Sequence, residues 1–152
     1  MYLTERFAHL VVGLDPTYIP QAAFAKAKAC IQDCLGVTIA GSAEPIREPL
    51  MHYIESVGGH GVATLIGLGG KTSVTNAALV NGTLGHVLDY DDTNQIFIGH
   101  GSVAVVPAIL ALAEMQRSSG AEMLLAYLLG TEVQWKLGEA LVDSGDHYAK
   151  GW

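Results

Sequence analysis

The run from Val103 to Ala113, VAVVPAILALA, contains no polar side chain. It has the length of a helix and lacks the alternation of a half-buried strand. A helix that is apolar all round is expected to be buried on every side. The rest of the chain therefore has to be built around this one. Pro107 lies near its start and either kinks it or marks its first turn. Ser102 is the expected N-cap.

The neighbouring segments supply further helices. Thr72 or Ser73 caps a small-residue helix that runs into an acidic end, Asp89-Tyr90-Asp91-Asp92-Thr93. Thr4 caps a first helix, Glu5 to Val12, with Phe7, Leu10 and Val11 expected to face inward. A second runs from Ile19-Pro20 to Gly41, with Phe24, Ala27, Ile31, Cys34, Leu35 and Ile39 as its apolar stripe and Gly41 in the usual place of a left-handed cap. A third opens at Glu44-Pro45 and ends at Gly58-Gly59. Val62 to Gly67 is short, β-branched and bounded by glycine, so it reads as a brief strand or connector. Ser119 and Glu122 form a capping box for a last helix with Glu132 and Lys136 four apart. The expected fold class is all-α, a multi-helix domain over 1–152 with at most one short extended segment near 62–67. No internal repeat or domain boundary interrupts it.

Composition narrows the function. Half of the 152 residues are hydrophobic and only 15% are charged. That balance is high for a small monomer and points to a piece of something larger, or to an oligomer with wide contacts. The net charge of −7 and the lack of a Lys/Arg stripe argue against nucleic acid. No run approaches the roughly eighteen uninterrupted apolar residues of a membrane span, and no leader is visible at the N-terminus. The expected location is cytoplasmic, with no membrane partner. Cys30 and Cys34, four apart on one helix face, are expected to pack as small hydrophobes.

The chemistry concentrates between His86 and Ser102. A helix C-terminus disfavours carboxylates, yet Asp89, Asp91 and Asp92 cluster there with no Lys or Arg beside them in sequence. Buried carboxylates crowded in that way are poised for proton transfer. At about 100° per residue, His86, Asp89 and Thr93 share a helix face, whereas Asp91 points away and Asp92 is intermediate. The loop from Asn94 to Gly99 is long enough to bring His100 back beside Thr93. The same residue types could instead ligate a metal, or the acidic end could be purely structural. Proton transfer is the preferred reading. Gly67-Leu68-Gly69-Gly70-Lys71-Thr72 resembles a phosphate loop but has Leu65 where that loop needs glycine, so a plain turn is expected. His9, His52 and His60 show no partner pattern. Trp135 and Tyr127 lie at helical spacing and are expected in the core. His147, Tyr148 and Lys150 occupy a Gly-flanked tail of the kind that often carries binding residues.

These blocks together resemble the MmgE/PrpD family. NGTLGHVLDYDDT (81–93), HGSVAVVPAILALAE (100–114), GTEVQWKLGEAL (130–141) and HYAKGW (147–152) resemble the N-terminal part of its helical domain, and 19–41 resembles its opening helices. Members include 2-methylcitrate dehydratase, cis-aconitate decarboxylase and iminodisuccinate epimerase. The resemblance implies a lyase acting on small di- and tricarboxylates, without an organic cofactor or an obligatory metal. It implies a homodimer, and a second α+β domain absent from this chain. A 2-methylcitrate dehydratase reading places the chain in propionate catabolism. The family's active-site Asp and Thr fall on Asp89 and Thr93, and its histidine on His100. This chain departs from the family at Asn94, where histidine is frequent, and at Gly101, where proline is; glycine there loosens the turn after His100.

The resulting assignment gives catalysis to Asp89 and His100, which share acid and base work. Substrate binding falls to Thr93, Ser102 and the cationic Lys150. His86, Asp92 and His147 support them, and no metal is assigned. The chain by itself is expected to be inactive. The alternatives are a non-catalytic helical dimerisation scaffold and a metal-dependent hydrolase.

Overall fold

The glycines, prolines and capping residues cut the chain into short helices joined by tight links. In the computed structural model, residues 1–95 and 99–143 are described, with the backbone only for Val142 and Asp143. The elements are α1 (Leu3–Gly13), a 3-10 turn (Pro16–Tyr18), α2 (Gln21–Gly41), α3 (Arg47–Val57), β1 (Ala63–Thr64), β2 (Lys71–Thr72), α4 (Val74–His86), α5 (Gly101–Gln116) and α6 (Gly120–Asp143). The all-α class expected from sequence holds. The brief extended piece is one arm of a hairpin, in which Ala63 pairs with Thr72 and Thr64 with Lys71, antiparallel.

The apolar helix α5 lies at the centre. It packs on α4, α6 and β1, while α2 packs on α4 and α6. Val106 of α5 shares a buried cluster with Ala27, Ile31 and Cys34 of α2 and Tyr127 of α6. Cys34 packs as a small hydrophobe, as expected, and both cysteines are free thiols. Burial on every side does not hold. Ala104 and Ala108 are exposed and Leu112 is 41% exposed, because the described elements surround only part of the helix.

Close helix contact explains two glycines. A Cβ at Gly41 would collide with the Leu84 carbonyl oxygen. One at Gly85 would lie 2.9 Å from Val103 Cγ2 and 3.0 Å from Thr38 Oγ1. Gly41 is thus a contact glycine, not a left-handed cap; Ser42 closes α2 in the right-handed region.

A buried amide joins the hairpin to α4. Asn81 Oδ1 accepts from the Ile66 N–H (2.9 Å), and its Nδ2 donates to the Thr64 carbonyl (2.9 Å). Glu114 of α5 accepts from the Thr64 N–H (3.2 Å), the Thr64 hydroxyl (2.7 Å) and Lys71 Nζ (2.8 Å). Partial burial pushes its pKa up, but the bonds from Lys71 and Thr64 outweigh that and leave it below the ordinary carboxylate value. Lys71, from the segment that resembles a phosphate loop, serves in this tie. Gly67, Gly69 and Gly70 have φ of 74°, 77° and 85°, which makes the segment a turn.

Several local expectations need correction. No residue of α1 is buried: Leu10 and Val11 are exposed, and only Phe7 is partly covered. That helix opens with Glu5 accepting from the Tyr2 N–H (2.7 Å), with Thr4 already inside it. The third helix begins at Arg47 rather than Glu44. Ile39 is exposed, on the outer side of α2. The Ser119–Glu122 capping box and the Glu132–Lys136 pair form as expected. Tyr127 is buried in the core, but Trp135 is 41% exposed and lines a cavity.

Candidate active site

The acidic stretch does not continue α4. The helix stops at His86 with Val87 as its C-cap, and the chain turns sharply. Asp89 stands in the left-handed region, φ 51°. Aspartate tolerates that region better than bulky or β-branched residues do. The turn resolves the clash of charge expected at the helix end. It carries Asp92 to the start of α5, where unpaired N–H groups favour anions.

Asp92 uses that position. Its Oδ1 accepts from the Ser102 N–H (3.0 Å) and its Oδ2 from the Ser102 hydroxyl (2.5 Å). Asp92 therefore bonds the first turn of α5, and the N-cap position belongs to His100, not Ser102. The single hydroxyl hydrogen of Ser102 goes to a carboxylate, so the Tyr127 hydroxyl, 2.7 Å away, donates to Ser102. Burial pushes the Tyr127 phenol above its ordinary 10.0.

Asp91 is the centre of the cluster. Its side chain is 0% exposed. Its two oxygens lie 3.0 and 3.2 Å from His86 Nδ1. His100 Nδ1 lies 3.1 Å from Asp91 Oδ2 and 3.3 Å from the Asp91 carbonyl oxygen. The other nitrogen of that ring, Nε2, lies 3.3 Å from Asp89 Oδ1. The two imidazoles meet edge to face, centroids 4.6 Å apart. Asp89 is 79% exposed and His100 25% exposed, so this pair faces solvent while Asp91 is hidden behind it.

Helical extrapolation turned Asp91 away from the cluster, and that expectation is overturned. It assumed that α4 runs through to Thr93. The three aspartates, poor helix residues at a helix C-terminus, were the signal that it ends earlier. His86, Asp89 and His100 do come together, though through the turn rather than along one helix face.

Two cavities open beside this cluster and share Thr93 and Asn94 on their walls. One, about 430 Å³, is lined by Thr93, Asn94, Gln95, Gly99 and His100. The other, about 380 Å³, lies between α2, α6 and the loop and includes Lys26, Asp92, Ser102, Tyr127, Gln134 and Trp135. Thr93 is exposed and stands at both mouths. Ser102 faces the second, with its hydroxyl committed to Asp92 and Tyr127. Lys26 is a cation on that wall that sequence reading did not single out. His147 and Lys150 lie outside the described residues.

His86, Asp89, Asp91 and His100 each present one donor atom within 4.8 Å of the others. A zinc-like ion needs ligands at about 2.0–2.2 Å. It would draw the exposed Asp89 and His86 inward and replace the bonds between Asp91 and the two rings. As the cluster stands, Asp91 hydrogen-bonds His86 through its carboxylate and His100 through its carbonyl, and Asp89 lies at ion-pair distance from His100.

Known proteins share this arrangement of sequence. The model of the MmgE/PrpD N-terminal domain matches residues 5–151. Cis-aconitate decarboxylase of Mus musculus is 32% identical over 140 residues, covering 89% of this chain and 28% of that protein. The Homo sapiens cis-aconitate decarboxylase is 34% identical over 140 residues, covering 89% and 29%. The cis-aconitate decarboxylase-like protein oryM of Aspergillus oryzae is 26% identical over 157 residues, covering 99% and 32%. The chain thus spans 28 to 32% of the length of these relatives.

Proposed function

The chain belongs to the MmgE/PrpD family, and from that premise we propose that it supplies the acid–base half of a lyase site for small di- and tricarboxylates. The carrying observation is the Asp89–His100 pair, 3.3 Å apart, with His100 and Thr93 on the wall of one open cavity. A base within reach of a substrate proton, and an acid beside it, are what elimination and decarboxylation both require. In a dehydration the base takes a C–H proton, those electrons form the C=C bond, and the acid protonates the departing hydroxyl. In a decarboxylation the C–C electrons left by carbon dioxide are met by a proton from the same acid. Thr93 holds a substrate carboxylate or hydroxyl. The names of the relatives favour decarboxylation of cis-aconitate over dehydration of 2-methylcitrate.

Among the described residues the site is short of cations for such a substrate. Lys71 is tied to Glu114, and Lys136 sits between Glu132 and Glu139. Arg117 ends α5 at the far end from His100, about 24 Å along a 16-residue helix. Among the described residues Lys26 is the cation on the wall of the cavities at Thr93. The 152-residue chain alone is therefore expected to bind citrate-like anions weakly in a calorimetric titration and not to turn them over. Tight binding would contradict this.

The decisive test is His100→Ala in the natural polypeptide that carries this segment, assayed with cis-aconitate and 2-methylcitrate. A loss of roughly 10²–10⁴ in kcat is expected for an acid–base group. Activity within tenfold of the unchanged protein would overturn the reading. The exposed apolar side of α5 gives a specific reason to keep the second reading, a dimerising scaffold without catalysis. A stable dimer with no lyase activity in the natural polypeptide would favour it.

A further inference from the structure

We infer that Asp91 is the positioning residue of this site: its buried carboxylate and its own carbonyl oxygen together fix the tautomer of both imidazoles and leave Nε2 of His100 to exchange the working proton. The geometry carries the tautomer; its catalytic consequence rests on the lyase reading above. A carbonyl oxygen and an ionised carboxylate only accept hydrogen bonds. His100 Nδ1 faces one of each, the Asp91 carbonyl at 3.3 Å and Asp91 Oδ2 at 3.1 Å. That nitrogen must carry a hydrogen. His86 Nδ1 faces both oxygens of the same carboxylate and must carry one too. Among the described residues, the ion-pair partners of Asp91 are these two rings. Two N–H donors are what keep an ionised carboxylate stable at a side chain with no exposure. His86 Nδ1 bonds both oxygens of that carboxylate and so helps hold it beside His100.

The consequence lies on the other side of the His100 ring. With the Nδ1 hydrogen committed, Nε2 is left facing Asp89 Oδ1 at 3.3 Å. On the neutral ring that nitrogen is the bare one, with its lone pair free. The proton a lyase moves passes through it. Nε2 gives it to the substrate carbon or the leaving oxygen, or its free lone pair takes the substrate proton, while Nδ1 keeps its own hydrogen. A residue merely bracing the end of α4 against the start of α5 would not dictate which nitrogen is free.

The tautomer is measurable in the 152-residue chain without substrate. Long-range ¹H–¹⁵N correlation spectra, recorded above the pH at which the rings lose their charge, separate protonated from bare ring nitrogens. His86→Gln and His100→Gln assign the two signals. The expected result is Nδ1–H for both rings, against the Nε2–H form that an unconstrained histidine prefers. Asp91→Asn keeps the shape but offers a donor in place of one acceptor, so one ring should switch to Nε2–H. A wild-type His100 in the Nε2–H form, or an Asp91→Asn spectrum with both tautomers unchanged, would overturn the inference. If Asp91→Asn does not fold, the wild-type tautomers decide alone. The lyase reading stands or falls separately, on the His100→Ala assay.

Discussion

Cys34 and Tyr127 show how a single side chain reports the burial that the core imposes. Burial pushes the Cys34 thiol from its ordinary 9.0 up to about 12, with the charge of Asp92 adding and the bond from Thr38 opposing. The Tyr127 phenol is raised for the same leading reason. A raised value means that the folded chain holds the proton longer than the unfolded one. The stabilising contribution is therefore whole below pH 9.0 and is lost as the pH rises toward about 12. Melting temperatures recorded from about pH 8 to about pH 11 should fall, and Cys34→Ala should show a shallower fall despite a lower starting value. Equal slopes for the two proteins would refute this. The thiol's place was legible, since Ala27, Ile31 and Cys34 keep helical spacing. Asp91 was not, because its role depends on where α4 stops, and side-chain spacing alone does not give a helix end to one residue.

Elements were legible where periodicity spans several turns, as in α2 and α6, and obscure at their joints. The hairpin could be seen as a short β-branched segment between glycines. Nothing local revealed that Asn81, in the middle of α4, bonds the backbone of Thr64 and Ile66 with both ends of its amide. The start of α5 was misread for a similar reason. Its first turn is bonded by Asp92, ten residues from Ser102 and outside the helix, whereas capping rules look to the adjacent residue. Asn81→Ala should cost on the order of 1–3 kcal/mol, because it strands a part-buried N–H and a part-buried carbonyl and leaves a small void. Denaturant unfolding monitored by circular dichroism measures it. A change below about 0.5 kcal/mol would mean that water or a shifted backbone replaces both bonds.

At the scale of the molecule, the apolar excess seen in composition has a location. Ala104, Ala108, Leu112 and Met115 are exposed along one side of α5, about 80° of its circumference. The opposite side carries Val106, which is buried, so the helix that orders the core also presents a face to solvent. The central position of α5 followed from its lack of polar residues; the open face did not, because a sequence cannot say which neighbours lie on the same chain. A second copy of this chain is the occupant we expect there, since the small residues Ala104 and Ala108 let two such helices approach closely and Leu112 and Met115 then interlock. Sedimentation of the 152-residue chain should give a dimer. Leu112→Glu places a charge in the seam and should shift it to monomer, while the circular dichroism stays unchanged because the residue is not in the monomer's core. A monomer at every concentration before substitution would assign the face to another part of the natural polypeptide. A dimer insensitive to Leu112→Glu would move the interface to another exposed apolar group, such as Leu79 of α4 and Val87 at its C-cap. That second outcome would matter for the site, because His86 lines the same pocket as Leu79 and Val87 and would then sit at the edge of the partner.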